Sequence, residues 1–591
     1  MLCTSVRICR RPCVGFMRDA TMMFPLLRAP TSHANRTQLL AGRLRYIKSS
    51  TSSAKAAVSH VVVGIDQDAI NPHQDVDVGA LFSDAQSAHV SKSTLELLIA
   101  IGVFSSCRLP FLIRNAEYFL DLSYKVLGPS ITNAVMKHTF FRHFCAGEDR
   151  HDMKPVIEML RRNNIGPILD YAAENDNADS SEAVTDLHGI FSQPPFNQPA
   201  RVYDYKSEEE CDRHVSIFQE CIHSVHDVSS VGFAALKVTA LGNPELLERM
   251  STMIVEVKNL FATFQPESGS GGLISREKFA QCYQQHFRVD DCRLKEVIES
   301  LDPNDSGVVD FISFAEMLTP YNLPSFTLKC KSIGPLARVT PSSDEIVLMK
   351  RMSERLHTLA TDAAQNGTRL LIDAEHQKYQ PAIDNLVLEL QKTFNAKDKT
   401  DRPIVFNTYQ CYLKYTLERV EMDVKRSERY SFHLGAKLVR GAYMEHERER
   451  SKNLKYPCPI HDTAEDTHQS YNDVVEYLLR YRWQHGSGTE IMVATHNQES
   501  IEKAVVLMKQ FELEPQDPSV SFAQLYGMRD NITFPLGSKG YNVLKYLPYG
   551  KVEEVMPYLL RRAAENSTVL GDTVSELELL KEALYKRVFA G

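Results

Sequence analysis

Two adjacent arginines near the end of the chain have the spacing of an anion-binding pair. Arg561 and Arg562 lie in PYLLRRAAENS (557–567), with Glu565 three or four residues further on. On a helix the two guanidinium groups point about 100° apart, so they can bind two different anions. Planar guanidinium groups are suited to a carboxylate ligand. A surface helix with local ion pairs is the alternative, and the position of the motif in the fold must decide between the two.

Two further motifs place ligand-binding groups at predicted strand ends. KLVRGAY (437–443) has a glycine there, and a missing side chain lets a flat ligand approach the backbone. ATHN (494–497) offers a hydroxyl, an imidazole and an amide in succession, which suits the heteroatoms of a ring or phosphate groups. A simple turn and a capped strand end are the respective alternatives.

A fourth motif has the spacing of a calcium-binding loop. In DPNDSGVVDFIS (302–313) the ligand positions fall on Asp302, Asn304, Ser306, the Val308 carbonyl and Asp310. The twelfth position, which holds a bidentate glutamate in such loops, is Ser313. ESGSGGLISREK (267–278) looks like a degenerate partner loop. A calcium-binding regulatory protein is therefore a competing function, but we favour an EF-hand-like fold that has lost tight calcium binding, with a weak site as the alternative.

Eight short apolar runs alternate with amphipathic helical segments and indicate a parallel sheet covered on its faces. The runs are residues 166–174, 234–242, 369–375, 404–410, 436–443, 491–497, 521–527 and 542–550. Eight such units predict an α/β fold, a (βα)₈ barrel of the TIM type. A doubly wound open sheet is the alternative, although no G-x-G-x-x-G motif follows any of the predicted strands.

Most of these runs end in a polar or charged residue, and the carboxyl-terminal strand ends of such a barrel face one mouth. The residues concerned are Asp170, Glu174, Lys237, Asp373, Gln410, Arg440, His496, Gln524 and Tyr546. Packing alone does not explain so many polar ends, so an enzyme is favoured. About 125 residues (243–368) separate the second and third strands, and the calcium-like loop lies in this insertion.

Charge and composition limit the other functions. Residues 1–50 contain nine basic residues and one acidic residue, a net charge of +8 that leaves −16 for the rest. An Arg-rich, acid-poor start is typical of a mitochondrial transit peptide, and a basic tail that binds an anionic partner is the alternative. The acidic remainder argues against nucleic-acid binding. Twelve cysteines without a C-x-x-C pair suggest reduced thiols.

These patterns predict four parts of the chain. They are a transit peptide or disordered segment at 1–56, an N-terminal helical region at 57–165, the barrel at 166–242 and 340–591, and an EF-hand-like insertion at 243–339.

Several motifs together resemble the proline dehydrogenase family, and most closely its eukaryotic mitochondrial members. They are AGEDRHDMKPVIEMLRRNNIGPILDYAAE, ALKVTALG, LLIDAEH, KLVRGAY, ATHN, AQLYGM and YLPYG with YLLRRAAENS, in the order of the family from about residue 140 to 570.

The resemblance implies a set of site residues. Arg561 and Arg562 would bind the substrate carboxylate, with Lys237 and Asp373 at strand ends, and Glu174 would pair with the first arginine and close the site. The walls around the proline ring would be Leu438, Tyr443, Tyr546 and Tyr558. The residues that would contact FAD are Asp373, Gln410, Lys437, Val439, Gly441, Ala442, Tyr443, Thr495, His496, Asn497, Gln524, Arg562, Glu565 and Ser567. Some members have Arg where this chain has Lys437, which retains the charge but loses the planar fork.

The resemblance also implies the chemistry and the partners. L-Proline would lose a hydride to flavin N5 and become Δ1-pyrroline-5-carboxylate, and ubiquinone would reoxidise the flavin at the matrix side of the mitochondrial inner membrane, where the enzyme would bind peripherally. No general base is evident. Related enzymes oxidise 4-hydroxyproline, and we expect the large side chain of Tyr546 to favour proline.

Overall fold

Eight parallel strands close into a barrel in the computed structural model of the chain, as the alternating pattern predicts. The structure describes residues 82, 92–172, 203, 205–229, 232–265, 272–486, 488–568 and 570–589. The barrel strands are β1 (Ile165–Tyr171), β2 (Phe233–Leu236), β5 (Arg369–Ile372), β6 (Val405–Gln410), β7 (Leu434–Val439), β8 (Thr489–Ala494), β9 (Val520–Leu525) and β10 (Val543–Tyr549). Neighbours pair in the order β1–β10–β9–β8–β7–β6–β5–β2, and β2 pairs with β1 to close the ring.

Alternate residues of each strand point into the barrel, and apolar side chains fill its centre. This inner layer consists of Ile168, Phe233, Ala235, Leu371, Phe406, Met492, Ala523 and Leu544. In β7 the inward position at this level is Lys437, which is in register with Met492 of β8. A lysine therefore lies where its neighbours have apolar side chains, close to the end of the strand at which chemistry is expected.

Helices precede the barrel. They are α1 (Thr94–Cys107), α2 (Pro110–Arg114), α3 (Ala116–Met136), α4 (Arg142–Phe144) and α5 (Arg150–Arg162), with a π-helical turn at Lys137–Phe141. Ser93 and Glu96 form a capping box at the start of α1, which satisfies N–H groups that a helix end leaves free. The predicted transit peptide (1–56) and Glu174 lie outside the described residues.

Further helices surround the strands. In chain order they are α6 (Glu208–Val228), a 3₁₀ turn (Val238–Leu241), α7 (Pro244–Phe264), α8 (Arg276–His286), α9 (Asp291–Leu301), α10 (Phe311–Met317), α11 (Leu323–Thr327), α12 (Pro335–Arg338), α13 (Ser343–Gln365), α14 (Gln380–Phe394), α15 (Thr416–Arg429), α16 (Met444–Leu454), α17 (Ala464–His485), α18 (Gln498–Gln510), α19 (Asp530–Ser538), α20 (Met556–Thr568) and α21 (Leu570–Phe589).

Two helix–strand–helix units lie between β2 and β5. The strands β3 (Leu273–Ser275) and β4 (Val308–Asp310) pair antiparallel, with Ile274 opposite Val309. Both residues are buried in the same hydrophobic core as Leu370 of the barrel. The insertion thus shares its core with the barrel, and the assignment of residues 243–339 as an EF-hand-like domain stays a prediction.

Candidate active site

A lysine, an aspartate and a tyrosine from different strands form one hydrogen-bonded group at the carboxyl-terminal strand ends. Lys437 Nζ donates to Asp373 Oδ1 at 2.5 Å, and the Tyr546 hydroxyl donates to Asp373 Oδ2 at 3.0 Å. The amide N–H of Asp373 donates to the carbonyl of Leu236 at 2.9 Å, which fixes the main chain just after β5. Burial and the charges of Asp170 and Asp373 hold the pKa of Tyr546 well above its usual value. Tyr546 therefore stays a hydrogen-bond donor.

The two arginines lie on α20, the helix that follows the last barrel strand. Arg561 is buried, and Arg562 lies 5.1 Å from the centroid of the Tyr558 ring and 2.5 Å from Glu565. The Tyr558 hydroxyl and Arg562 Nε are buried, and no described residue accepts a hydrogen bond from either atom. A buried donor without an acceptor costs about 1–3 kcal/mol, so this surface is suited to a ligand rich in acceptor oxygens.

Apolar packing on the other side of α20 orients these arginines. Leu559 and Ala563 are buried together with Val103 of α1, Ile113 of α2 and Phe144 of α4. The apolar and the cationic side chains lie on different sides of one helix, which is the pattern of an amphipathic helix. The helices that precede the barrel therefore hold the arginine helix in place.

A buried tyrosine, Tyr443, and a buried carboxyl group, Glu375, both lie within electrostatic reach of Asp373. Burial is the main cause that raises the pKa of Tyr443 well above its usual value; the negative charges of Glu375 and Asp373 add to it and the charge of Arg561 opposes it. Glu375 accepts hydrogen bonds from Thr239 N at 3.1 Å and from Thr239 Oγ1 at 2.6 Å. Because Thr239 belongs to the turn that follows Lys237, Glu375 holds that turn next to the site.

Two side chains of the ATHN motif, His496 and Asn497, accept hydrogen bonds from main-chain N–H groups. The Asn497 side chain accepts from Ser500 N at 2.9 Å and caps the start of α18. His496 Nε2 accepts from Leu525 N at 3.0 Å. Burial and then the neighbouring cationic side chains, among them Arg562, hold the pKa of His496 well below its usual value. The imidazole is therefore neutral, and Nδ1 carries its proton.

Two glutamine amides lie near the carboxyl-terminal ends of β6 and β9, at the end of the barrel that we call the rim. Gln410 Nε2 donates to the carbonyl of Glu375 at 2.9 Å. Gln524 Nε2 donates to the carbonyl of Thr495 at 3.3 Å, and its Oε1 accepts from Thr533 Oγ1 at 2.9 Å. Lys437 and Arg562 add cationic N–H donors near these amides, and this set of donors fits a cofactor that carries phosphates and ring carbonyl groups.

Two other predicted site residues, Leu438 and Gly441, pack against the protein itself. Leu438 is fully buried with Tyr471 and Val474 in the layer between the sheet and the helices, because it follows the inward-pointing Lys437 and must point outward. The structure does not bring it to the site. Gly441 has a φ of +135°, and a Cβ there would lie 2.5 Å from the ring of Tyr412. Packing against Tyr412 thus requires this glycine.

Val439, Ala442 and Ser567 differ in burial. Val439 lies at the end of β7 and is half-buried, Ala442 is exposed, and Ser567 is buried near the end of α20. These residues, and all the assigned ligand contacts, stay predictions.

The first carboxylate of the calcium-like loop, Asp302, is paired with an arginine, Arg276. Asp302 accepts from Ser306 N at 2.9 Å, Gly307 N at 2.8 Å and Arg276 Nε at 2.7 Å. Asp310 caps α10 and is paired with Arg429 of α15. The described residues contain no group of three His, Cys, Asp or Glu side chains suited to a metal ion. The weak calcium site at Asp302, Asn304, Ser306, Val308 and Asp310 stays a prediction.

The sequence-based assignment gives no site role to three residues whose contacts the structure shows, although it counts Arg440 among the polar strand ends. Glu375 follows Asp373 by two residues, and the buried carboxyl in DAEH is a usable signal for it. Arg440 donates to Thr495 Oγ1, and through Nη2 to Ser500 Oγ at 2.9 Å, so it orients the ATHN turn. Its position at a strand end is a signal as well. The contact of Arg276 with Asp302 joins residues of two different helix–strand–helix units, and no local pattern predicts it.

Comparisons with known proteins agree with this geometry. A family model described as Proline dehydrogenase matches residues 207–574. The chain is 35% identical over 546 residues to Proline dehydrogenase 1, mitochondrial, of Homo sapiens, covering 86% of this chain and 90% of that protein. It is 28% identical over 516 residues to hydroxyproline dehydrogenase of Xenopus laevis, covering 86% and 91%.

Among solved structures, the chain aligns with proline utilization A from Bdellovibrio bacteriovorus inactivated by N-propargylglycine. The TM-score is 0.48 at 16% identity, and the alignment covers 85% of this chain but only 41% of that one. The family match extends from α6 into α21 and so includes all barrel strands from β2 onward, the Lys437–Asp373–Tyr546 group and the arginine helix. The chain therefore belongs to the proline dehydrogenase family of enzymes.

Proposed function

We propose that the protein uses FAD to oxidise L-proline to Δ1-pyrroline-5-carboxylate. The observation that carries this proposal is the arrangement of Lys437, Asp373 and Tyr546 at the barrel end that also faces the arginine helix. Arg561 and Arg562 would bind the proline carboxylate, which leaves the apolar ring to the aromatic side chains of the site. Fixing the carboxylate selects which ring carbon faces the oxidant.

Aromatic residues from three elements would enclose the proline ring. Tyr546 is held by Asp373, Tyr558 lies beside Arg562, and Tyr443 is buried with its ring 4.1 Å from that of His376. Asp373 already accepts one hydrogen bond on each carboxylate oxygen. Its role is thus to orient Lys437 and Tyr546, and its negative charge would stabilise the positive charge that develops on the ring nitrogen during oxidation.

The donor-rich rim would hold the cofactor. Lys437, Arg562 and the amide and hydroxyl groups of the rim are suited to the phosphates and ring carbonyl groups of FAD; the residues assigned to it are Asp373, Gln410, Lys437, Val439, Gly441, Ala442, Tyr443, Thr495, His496, Asn497, Gln524, Arg562, Glu565 and Ser567. When bound, FAD would accept the hydride that proline loses, which carries both electrons of the oxidation. The neutral His496 can donate a hydrogen bond from Nδ1 while Leu525 N occupies its Nε2.

The location and the electron acceptor follow from the same proposal. Similar proteins of several eukaryotes bear names that include "mitochondrial", and the Arg-rich start of the chain supports this location. We assign the enzyme to the matrix side of the inner membrane, with ubiquinone as the acceptor and a peripheral contact with the bilayer. No described helix is long and apolar enough to cross a membrane.

4-Hydroxyproline is the second candidate substrate, because two similar proteins are named hydroxyproline dehydrogenase. Its additional hydroxyl needs space and a polar partner. The Tyr546 side chain fills part of the site and its hydroxyl is already bonded to Asp373. The structure of this residue favours proline.

One experiment tests the proposed function. The chain from about residue 57 onward should show a flavin absorption spectrum after purification, and L-proline should bleach it without oxygen, faster than 4-hydroxyproline does. A protein that neither contains nor takes up FAD contradicts the proposal. A flavoprotein that only 4-hydroxyproline bleaches assigns it to the second substrate.

A further inference from the structure

A group of large apolar side chains lies exposed on the helices that precede the barrel. We call it the apolar ridge; it consists of Leu109, Phe111, Tyr118, Leu122, Val126, Leu127, Ile131 and Val135. Val126 is 71% exposed and Ile131 is 54% exposed, whereas Thr132 is the only residue of α3 that is buried. Isolated exposed apolar residues are common on protein surfaces, but a continuous group marks an interaction site.

Six of the ridge residues repeat every four positions, in two sets of three along α3. Tyr118, Leu122 and Val126 are four residues apart, and Leu127, Ile131 and Val135 repeat that spacing after a kink at Gly128 and Pro129. Residues four apart on a helix lie on the same side. Each half of α3 therefore presents an apolar stripe, and neither stripe packs on the barrel.

Cationic side chains accompany the ridge. Arg108, Arg114 and Lys125 are exposed, and none of them makes an ion pair with any described residue. Residues 108–142 contain five basic and two acidic side chains, a net charge of +3 in a chain whose total is −8. Exposed apolar and basic side chains on one helical surface fit an anionic lipid bilayer, into which apolar groups insert while the cations remain at the headgroups.

The ridge adjoins the helix that carries the two arginines, on its apolar side. Ile113 of α2 is buried against Leu559 and Ala563 of the arginine helix α20, and the ridge residues Phe111 and Tyr118 lie at positions that flank it in the sequence. A membrane bound at the ridge would therefore bring lipid-soluble molecules close to the helix that holds the substrate carboxylate.

We infer that the apolar ridge docks the protein on the surface of a bilayer that contains anionic lipids. The inference rests on the proposed function in one respect, because it explains how an electron acceptor dissolved in the membrane reaches the site. The contact is peripheral: the stripes insert to the depth of their side chains, and α3 lies parallel to the membrane surface.

Vesicle binding tests this surface. The variant with Val126→Gln and Ile131→Gln keeps good helix-forming residues and removes one apolar side chain from each stripe. Against vesicles of phosphatidylcholine with phosphatidylglycerol, we expect its apparent affinity to fall at least about tenfold. Val506→Gln is the matched control, because Val506 is 52% exposed on α18 and lies outside the ridge. It should bind as the unaltered protein does.

A charge variant and a test for dimers distinguish binding to anionic lipid from binding to a second copy of the chain. Lys125→Glu should weaken binding to vesicles with phosphatidylglycerol and leave the low affinity for pure phosphatidylcholine vesicles unchanged. Equal vesicle binding by all variants overturns the inference. So does a protein dimer in solution that only the ridge variant dissolves, since a second copy would then cover the ridge.

Activity with a soluble electron acceptor distinguishes this inference from the proposed function. Ridge variants should oxidise proline with a soluble dye at the unaltered rate and lose at least about tenfold with a quinone held in vesicles. If the unaltered protein binds vesicles through the ridge but proline reduces no flavin, the proposed function fails and the docking surface stands.

Discussion

At the scale of single residues, the two arginines of α20 have different surroundings although they are adjacent. Arg562 is paired with Glu565 at 2.5 Å and lies over the ring of Tyr558, whereas Arg561 is buried and its charge acts on Tyr443. A guanidinium group that already has a carboxylate partner and a ring contact is held in one orientation. Arg562 is therefore held by groups of its own helix, whereas Arg561 lies where its charge reaches Tyr443, a proposed wall of the substrate site.

Arg561→Lys should weaken proline binding. A lysine keeps the charge but cannot form two parallel hydrogen bonds to a carboxylate, and the loss of one charge-assisted hydrogen bond is about 1.5–3 kcal/mol. We expect kcat/KM for proline to fall about 10- to 100-fold, mainly through KM. The control is Arg161→Lys, whose side chain is 70% exposed on α5. An unchanged KM for Arg561→Lys rules out its contact with the carboxylate.

Tyr546 makes a second prediction at this scale, about substrate choice. Tyr546→Ser creates space and leaves a hydroxyl, so the ratio of kcat/KM for 4-hydroxyproline to that for proline should rise about tenfold, which equals about 1.4 kcal/mol of discrimination. Tyr546→Phe keeps the volume and removes only the hydrogen bond to Asp373, so it should lower both rates without changing their ratio. If the serine variant has the original ratio, Tyr546 does not select the substrate.

At the scale of elements, the calcium-like loop shows what a sequence pattern can and cannot predict. The helix–strand–helix order around residues 302–313 agrees with the spacing of the motif. The contact that decides its chemistry joins Arg276, at the start of α8, to Asp302, at the end of α9. Hydrogen bonds from Ser306 and Gly307 are among the causes that lower the pKa of Asp302 to about 2, together with Arg276. The Asp302 carboxylate is thus ionised, and the charge of Arg276 already balances it.

Arg276→Ala should make the insertion sensitive to calcium. The change leaves Asp302 without its cationic partner, so we expect the melting temperature to fall by a few degrees, as a loss of about 1 kcal/mol produces. Millimolar calcium should restore part of that loss in the variant and have a smaller effect on the unaltered protein. Calorimetry on both proteins, with magnesium as the control ion, measures this. An equal response of the two proteins to calcium contradicts the role given to Arg276.

Other elements show the same division between local and distant information. The eight barrel strands are predictable because each is a short apolar run between helical segments. The direction of a single side chain depends on where its strand begins: β7 begins at Leu434, which turns Leu438 toward the helices and Lys437 toward the barrel centre. The need for Gly441 arises from Tyr412, 29 residues away in the sequence. Neither placement follows from local spacing.

At the scale of the described molecule, one buried charge network connects the helices that precede the barrel, the barrel itself and the last helix. Asp530 of α19 is 2.9 Å from Lys92, just before α1, and 2.8 Å from Lys545 of β10. Lys545 also donates to the carbonyl of Met528 at 2.5 Å. Burial alone would raise the pKa of Asp530, but the two lysines outweigh it and lower that pKa below its usual range. Glu576 of α21 is buried beside the same network.

Glu576 gives this network a defined pH dependence. Burial, and then the negative charge of Asp530, raise the pKa of Glu576 from 4.5 to about 7. An acid with a raised pKa in the folded state binds its proton more tightly there than in the unfolded chain. Glu576 therefore lowers the free energy of unfolding as the pH rises above 4.5, and this loss of stability levels off once the pH passes about 7.

Glu576→Gln should remove that dependence, because the amide is neutral at every pH and similar in shape. The difference in the free energy of unfolding between the variant and the unaltered protein should increase by about 2–3 kcal/mol from pH 5 to pH 8, since each pKa unit corresponds to about 1.4 kcal/mol. Urea titrations at both pH values measure it, with Glu578→Gln as the control, because the Glu578 side chain is 62% exposed on the same helix. A constant difference between pH 5 and pH 8 would mean that Glu576 is already ionised at pH 5 in the folded protein, so that two carboxylates, Asp530 and Glu576, balance the two lysines of the network.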